Sequence, residues 1–309
     1  ATSDFAKRLL FGRKLRSDRL GETLLPKRIA LPVFASDALS SVSYATQEIL
    51  IVLSLGGLAY FTMSPWIALA VVFVMIVVIA SYRQNVRAYP SGGGDYEVVS
   101  SNLGQNAGVA VASALFIDYV LTVAVSVAAA VANAGSLFPF IAEHKVLVAI
   151  LVIVGLTVMN LRGVRESGTL FAVPTYAFIA AIALMVIWAG VRLANGAELQ
   201  AASAQYDIAA EAEFTGLALV FLVARAFSSG CTALTGVEAI SNGVPAFRKP
   251  KSANAAATLL MLGVIAITLF LSVTALALVT DVHAVEDPEQ LVGAPEDIAN
   301  QTVIAQVAQ

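Results

Sequence analysis

Apolar residues along this chain fall in long runs, rather than in the narrow stripe of a soluble amphipathic helix or the alternation of a half-buried strand. The runs cover about 29–55, 64–82, 108–139, 146–161, 169–192, 214–246 and 254–280. Each is near the ~20 residues that a helix needs to cross a ~30 Å hydrocarbon layer. The pattern therefore predicts seven membrane-spanning helices. Polar positions interrupt some of them. In the first run, Ala35-Ser36-Asp37-Ala38-Leu39-Ser40-Ser41-Val42-Ser43-Tyr44 lies mid-span. In the sixth, Ser228-Ser229-Gly230-Cys231-Thr232-Ala233-Leu234-Thr235-Gly236-Val237-Glu238 does the same. An ordinary anchor would hold leucine there, so both stretches predict discontinuous helices.

The two interruptions resemble each other. Ala38-Leu39-Ser40-Ser41-Val42-Ser43 aligns with Ala233-Leu234-Thr235-Gly236-Val237-Glu238, 195 residues and five spans later. Five is odd, so the second copy runs inverted. An inverted five-helix repeat whose first helix is broken at the midplane is the plan of many secondary transporters, which bind substrate at the breaks. The expected architecture is an all-α integral membrane protein with an inverted five-helix repeat and broken helices 1 and 6. The expected organisation is a basic cytoplasmic segment at 1–28, a first repeat at 29–192, an acidic extracellular loop at 193–213, the start of the second repeat at 214–280, and an extracellular segment at 281–309. Two such repeats need ten spans, so the chain reads as incomplete, and residues 1–309 alone are expected not to transport.

Composition agrees with the pattern. The chain is 59% hydrophobic and 13% charged, against about 45–50% and about 25% for soluble domains. The net charge of -3 matters less than where the charges sit. With the N-terminus in the cytoplasm, eight cations precede the first span. Arg83 and Arg87, Arg162 and Arg165, and Arg248, Lys249 and Lys251 then also fall inside, which makes 15 of the 18 cations and satisfies the positive-inside rule. The opposite side carries Glu198, Asp207, Glu211 and Glu213, then Asp281, Glu286, Asp287, Glu289, Glu296 and Asp297. One cysteine, Cys231, excludes a disulfide framework, and His144 and His283 are too far apart in sequence to form a metal-ligand cluster. The cationic stretch from Lys7 to Arg28 leads into a full-length span without a small-residue cleavage site, which is not the layout of a signal peptide. No cofactor, enzymatic activity or nucleic-acid partner is expected.

An acid at the centre of a spanning helix costs about 2.5–3.5 kcal/mol on insertion scales. Asp37, Asp118 and Glu238 must recover that cost through a partner, a proton or a bound ion. Three such acids point to a cation path, although each also fits a structural carboxylate paired with a neighbouring helix. Arg225 is the one intramembrane cation. It lies outward of Glu238 and suits an external vestibule, with a structural ion pair as the alternative. Asp118, Thr122 and Ser126 recur every four residues, which places their oxygens on one helix stripe facing the bundle interior. K⁺ needs its hydration shell replaced by several oxygens, and hydroxyls and unwound carbonyls supply them. Hydroxyls in spanning helices also bond their own i−4 carbonyl, and Tyr44 also fits plain packing. Glu238, one turn after Thr235 and close enough to share an ion site with Asp37, is the first choice of proton carrier, with Asp118 beside it. Like charges this close disfavour simultaneous ionisation, which links cation entry to proton release. The triplet Gly92-Gly93-Gly94 is no phosphate cradle, because no Gly-Lys-Ser/Thr follows it and no strand precedes it. Asn300-Gln301-Thr302 fits a glycosylation sequon, a pattern short enough to arise by chance.

Tyr89-Pro90-Ser91-Gly92-Gly93-Gly94, with Tyr96 and Gly104, resembles the loop signature of the amino acid-polyamine-organocation (APC) superfamily of permeases. Its potassium-importing branch, the KimA-type potassium/proton symporters, is closer still. Ser36 to Tyr44, Asp118 to Ser126, Asn160-Leu161-Arg162-Gly163, Ala226 to Cys231 and Ala239 to Asn242 all resemble that branch. The resemblance implies a LeuT-like fold of twelve helices in a bacterial inner membrane. It also implies a homodimer, and a cytosolic C-terminal domain that binds cyclic di-AMP and is absent from this chain. The branch's cation-binding positions map onto Asp37, Tyr44, Asp118, Thr122, Ser126, Thr235 and Glu238, with potassium held at Asp37, Thr235 and Glu238. A further tyrosine of that site has no counterpart here.

The expected activity is therefore import of K⁺ coupled to H⁺. The rival on the same scaffold is a proton-coupled amino acid or polyamine permease. Amino acid carriers of this superfamily use a glycine-rich break in the first helix to hold a substrate carboxylate, and Asp37 would repel one. A polyamine would tolerate Asp37. A non-transporting sensor would leave three mid-membrane acids without a role.

Overall fold

The computed structural model describes residues 24–161, 164–295 and 301–309, with α-helix as the dominant element. The basic stretch up to residue 23, the Arg162-Gly163 pair, the Arg165 side chain, Glu296, Asp297 and Asn300 lie outside the described residues. The helices are α1 (Lys27–Ser54), α2 (Ser64–Ala88), α3 (Gly94–Leu103), α4 (Gln105–Gly135), α5 (Pro139–Glu143), α6 (Lys145–Asn160), α7 (Val164–Ala194), α8 (Gly216–Gly230), α9 (Ala239–Asn242), α10 (Lys251–Val279) and α11 (Val303–Val307).

Among the described residues, five segments are long and apolar enough to cross a membrane: Leu58–Ala88, Gln105–Gly135, Phe171–Ala194, Gly216–Asn242 and Lys251–Val279. The other two expected spans are helical but differ in kind. The helix α6 is apolar yet has only 16 residues. The helix α1 is long enough, but Asp37, Glu48 and its run of serines lower its apolar character. It lies instead at the centre of the core, packed against α8, α10 and α7.

The expected break in the first span is absent, because α1 runs unbroken from Lys27 to Ser54. Its hydroxyls explain why. Ser40 donates to the carbonyl of Asp37 at 2.8 Å, Ser41 to the same carbonyl at 3.1 Å, and Ser43 to that of Ser40 at 2.6 Å. Small polar residues that bond back to the preceding turn are satisfied without unwinding the helix. The sixth span does break. The helix α8 ends at Gly230, a 3₁₀ turn covers Cys231–Leu234, Thr235 is extended, and Gly236 takes φ +79° before α9 begins. Glycine is the residue suited to that backbone.

The main core joins α1, α2, α8, α9 and α10. By contrast, α4 buries only Gly108, Thr122, Val127 and Val131, and α6 buries nothing. Phe116, Val146, Leu184 and Trp188 are all at least 66% exposed, which suits surfaces solvated by lipid or by other helices rather than by water.

The two ends of the bundle differ in charge. At one end, Leu25 bridges Phe247, and the backbone N–H of Arg248 donates to the carbonyl of Leu25 at 3.2 Å. This brings Lys27 and Arg28 together with Arg248, Lys249 and Lys251. At the other end, Leu50 of α1 clusters with Ala277 of α10, Val282 and Val303. There Asp207–Ile208 pairs antiparallel with Leu291–Val292 and joins the two acidic segments. The helix α11 folds back onto α1, where the Val303 N–H donates to Gln47 Oε1 at 3.0 Å.

Candidate functional site

Three elements converge near the middle of the bundle: the serine-rich turns of α1, the break after α8, and the polar stripe of α4. At the break, Gly236 lies directly on Asp37. A Cβ at position 236 would stand 2.5 Å from Asp37 Oδ2 and 3.0 Å from the backbone nitrogen of Ala38. Any side chain there would push the carboxylate aside. Gly236→Ala is therefore expected to destabilise the full-length protein by about 1–3 kcal/mol, the usual range for a residue forced into a sparsely populated backbone region. A drop in the thermal unfolding midpoint in detergent measures it. An unchanged midpoint would mean that the break relaxes without resistance.

Ser41 ties α1 to the break. Its hydroxyl is 2.7 Å from Thr235 Oγ1 and 3.0 Å from the Tyr44 hydroxyl. Tyr44 is only 5% exposed, so its phenol is a buried polar group with a partner as well as a packing aromatic. From α4, Ser126 donates to Asp37 Oδ1 at 3.3 Å. Thr122 is buried one turn earlier, and Asp118 lies one turn before that on the same stripe. The charge of Asp118 is close enough to act on both Asp37 and Glu238, and those two act on each other.

All seven residues singled out in the sequence thus stand on the elements that meet here. Asp37, Ser41, Tyr44, Thr235 and Ser126 are joined by hydrogen bonds, while Asp118 and Glu238 are linked to them through their charges. Glu238 is 8% exposed, and its Oε1 has no hydrogen-bond partner among the described residues. Nor does any Lys or Arg of the described residues form an ion pair with Asp37, Asp118 or Glu238. The alternative pairing of Glu238 with Arg225 is not formed, and Arg225 is exposed on α8. Glu238 is buried and Asp37 and Asp118 are half-buried, and carboxylates withdrawn from water without a counter-cation are costly. A cluster of anionic and hydroxyl oxygens of this kind offers a dehydrated cation what water would otherwise give it.

Several contributors escaped the sequence reading. Ser41 lies within the quoted motif, but its bridging position depends on the fold. On the basic-end side of Glu238, the Tyr82 hydroxyl donates to Asp95 Oδ2 at 2.7 Å, and Asn242 Nδ2 donates to the Tyr119 hydroxyl at 2.5 Å. Asp95 and Tyr119 both interact electrostatically with Glu238. The glycine triplet also gains a reason. A Cβ at Gly92 would strike Pro245, and one at Gly94 would strike Asn242 Oδ1. These glycines allow the loop before α3 to press against the end of the sixth span.

The profile of the amino acid permease family matches residues 30–302. Over 271 residues the chain is 42% identical to the potassium transporter KimA of Bacillus subtilis (strain 168). That alignment takes in 88% of this chain and 44% of KimA, so the chain spans less than half the length of this relative.

Proposed function

Since the chain belongs to the amino acid permease family, we propose that the protein of which it is part imports K⁺ together with H⁺. The observation that carries this reading is the convergence of Asp37, Asp118 and Glu238, none paired with a Lys or Arg of the described residues, on a hydroxyl-lined break. In the proposed site, Asp37, Thr235 and Glu238 hold the ion, and Tyr44, Thr122 and Ser126 complete or orient the oxygen shell. Asp118 and Glu238 share the proton-coupling role. No cofactor takes part.

The relative's name, potassium transporter, supports the choice of ion. An amino acid substrate fits less well, because its carboxylate would meet the carboxylate of Asp37 where a neutral backbone is wanted. The proposal extends to a multi-pass protein of the bacterial inner membrane with the basic end in the cytoplasm, as the positive-inside rule requires. A homodimer, and control by cyclic di-AMP through a region outside this chain, belong to the same reading.

The test is growth. The full-length protein is expected to restore growth at low K⁺ to a bacterium lacking its own K⁺ uptake systems, with tracer uptake competed by Rb⁺ and not by a diamine. Uptake of the diamine without K⁺ would replace this reading with a polyamine permease. No uptake of either would favour a sensor.

A further inference from the structure

Asn242, the last residue of α9, lies between three elements at the basic end of the site. Its Nδ2 donates to the Tyr119 hydroxyl of α4 at 2.5 Å. Its Oδ1 occupies the space into which a Cβ on Gly94 would project. Beside it, Pro245 fills the equivalent space at Gly92, and the Phe34 ring of α1 lies where a Cβ on Gly243 would stand, 2.5 Å from two of its carbons. That ring in turn stacks on Phe247 with centroids 5.5 Å apart. Asp95, next to Gly94, is tied to α2 by the Tyr82 hydroxyl. The start of α3 is thus fastened to α2 on one flank and, through Asn242, to α4 and the sixth span on the other. Glu238 is one turn before Asn242, with its Oε1 buried and unpartnered. The charges of Asp95 and Asp118 both reach it.

We propose that Asn242 is a positioning residue that keeps the basic-end exit of the site closed. It pins Tyr119 and the Gly94 loop over Glu238, and releasing that pin opens a path from Glu238 past Asp95. Asn242 touches no cargo in this scheme and acts through Tyr119 and Gly94. Glu238 stands at the inner end of the path and Asp95 at its outer end, both acids, so the exit suits a cation and disfavours an anion. The inference rests on the transport reading only for what passes through. The pin itself is tested by access, which needs no assumption about cargo.

The experiment uses the full-length protein in sealed vesicles of both orientations, in a background lacking Cys231 and any other reactive thiol, with E238C as the reporter. A membrane-impermeant maleimide is applied from each side. Asn242→Ala is expected to raise labelling from the basic-end side roughly tenfold, the factor that corresponds to ~1.4 kcal/mol, within the range of about 0.5–1.5 kcal/mol for one intramolecular hydrogen bond. Labelling from the acidic side should not change. Tyr119→Phe removes only the hydroxyl and should reproduce the effect, and Gly94→Ala should do so by displacing Asn242 Oδ1. An unchanged rate in all three variants overturns the proposal. A rise from both sides in all three also overturns it, because that is general loosening rather than a gate. If K⁺ transport fails in the growth test while one-sided labelling appears here, the exit stands and the cargo assignment falls.

Discussion

In the full-length protein, Asp37→Asn is expected to abolish growth at low K⁺ and to reduce K⁺ uptake by at least about a hundredfold, while the protein still reaches the membrane in normal amounts. The substitution keeps the shape of the side chain. Ser126 can still donate to the remaining oxygen, and the hydroxyls of Ser40 and Ser41 still bond to the backbone carbonyl of residue 37, which the change leaves in place. The helix should therefore stay intact. Losing a charge inside the membrane also eases insertion, since each central acid costs about 2.5–3.5 kcal/mol. The interaction with the ion is what disappears. A cation and a carboxylate ~3 Å apart attract by about 5 kcal/mol at an effective dielectric of ~20, and partial compensation by the amide oxygen leaves a loss of several kcal/mol, or two or more decades in affinity. Tracer uptake in cells, set against membrane yield on an immunoblot, reads both halves. Growth at the wild-type rate would reduce Asp37 to a structural carboxylate.

Much of this arrangement was legible from residues alone, because a membrane imposes strong constraints on sequence. Each spanning helix must satisfy its backbone internally and present apolar side chains, so all seven runs fall on helical structure, and five segments of the described residues are long and apolar enough to span. The acids stood out for the same reason, since Asp37, Asp118 and Glu238 have no cheap place in such runs. The four-residue spacing of Asp118, Thr122 and Ser126 put them on the face that meets α1 through Ser126.

The sequence alone does not separate a kinked first span from a continuous one, because serines and a carboxylate look alike in both. What decides is whether the hydroxyls find carbonyls one turn back, and Ser40, Ser41 and Ser43 do. Gly236 had no such option: its positive φ and its contact with Asp37 require the departure from helix. The Ser41 bridge, the Tyr82–Asp95 pair and the Tyr119–Asn242 pair join residues on different helices. No local pattern encodes such contacts. The glycine triplet carried a trace of them, since adjacent glycines imply a close approach, although the sequence does not say to what.

Glu238→Gln is expected to separate proton movement from K⁺ binding. Glu238 lies at the end of the break, buried, with one oxygen unpartnered among the described residues and with the charges of Asp118, Asp37 and Asp95 acting on it. These acids repel one another, and an entering cation offsets that repulsion. Proton occupancy and ion occupancy are thereby linked. A glutamine keeps an oxygen for the ion but takes no part in proton exchange. Asp37 and Thr235 remain, so K⁺ binding should be weakened less than proton coupling. The loss should appear in the driving force. Each inward positive charge gains about 2.3 kcal/mol per 100 mV of membrane potential, and a protein that moves K⁺ alone forgoes the share carried by H⁺. Acidifying the outside of liposomes containing the full-length variant should then no longer accelerate K⁺ entry, and a pH dye trapped inside should record little or no acidification as K⁺ enters. Entry of protons with K⁺ at the wild-type ratio would remove Glu238 from the coupling role and pass it to Asp118, whose charge already acts on both other acids.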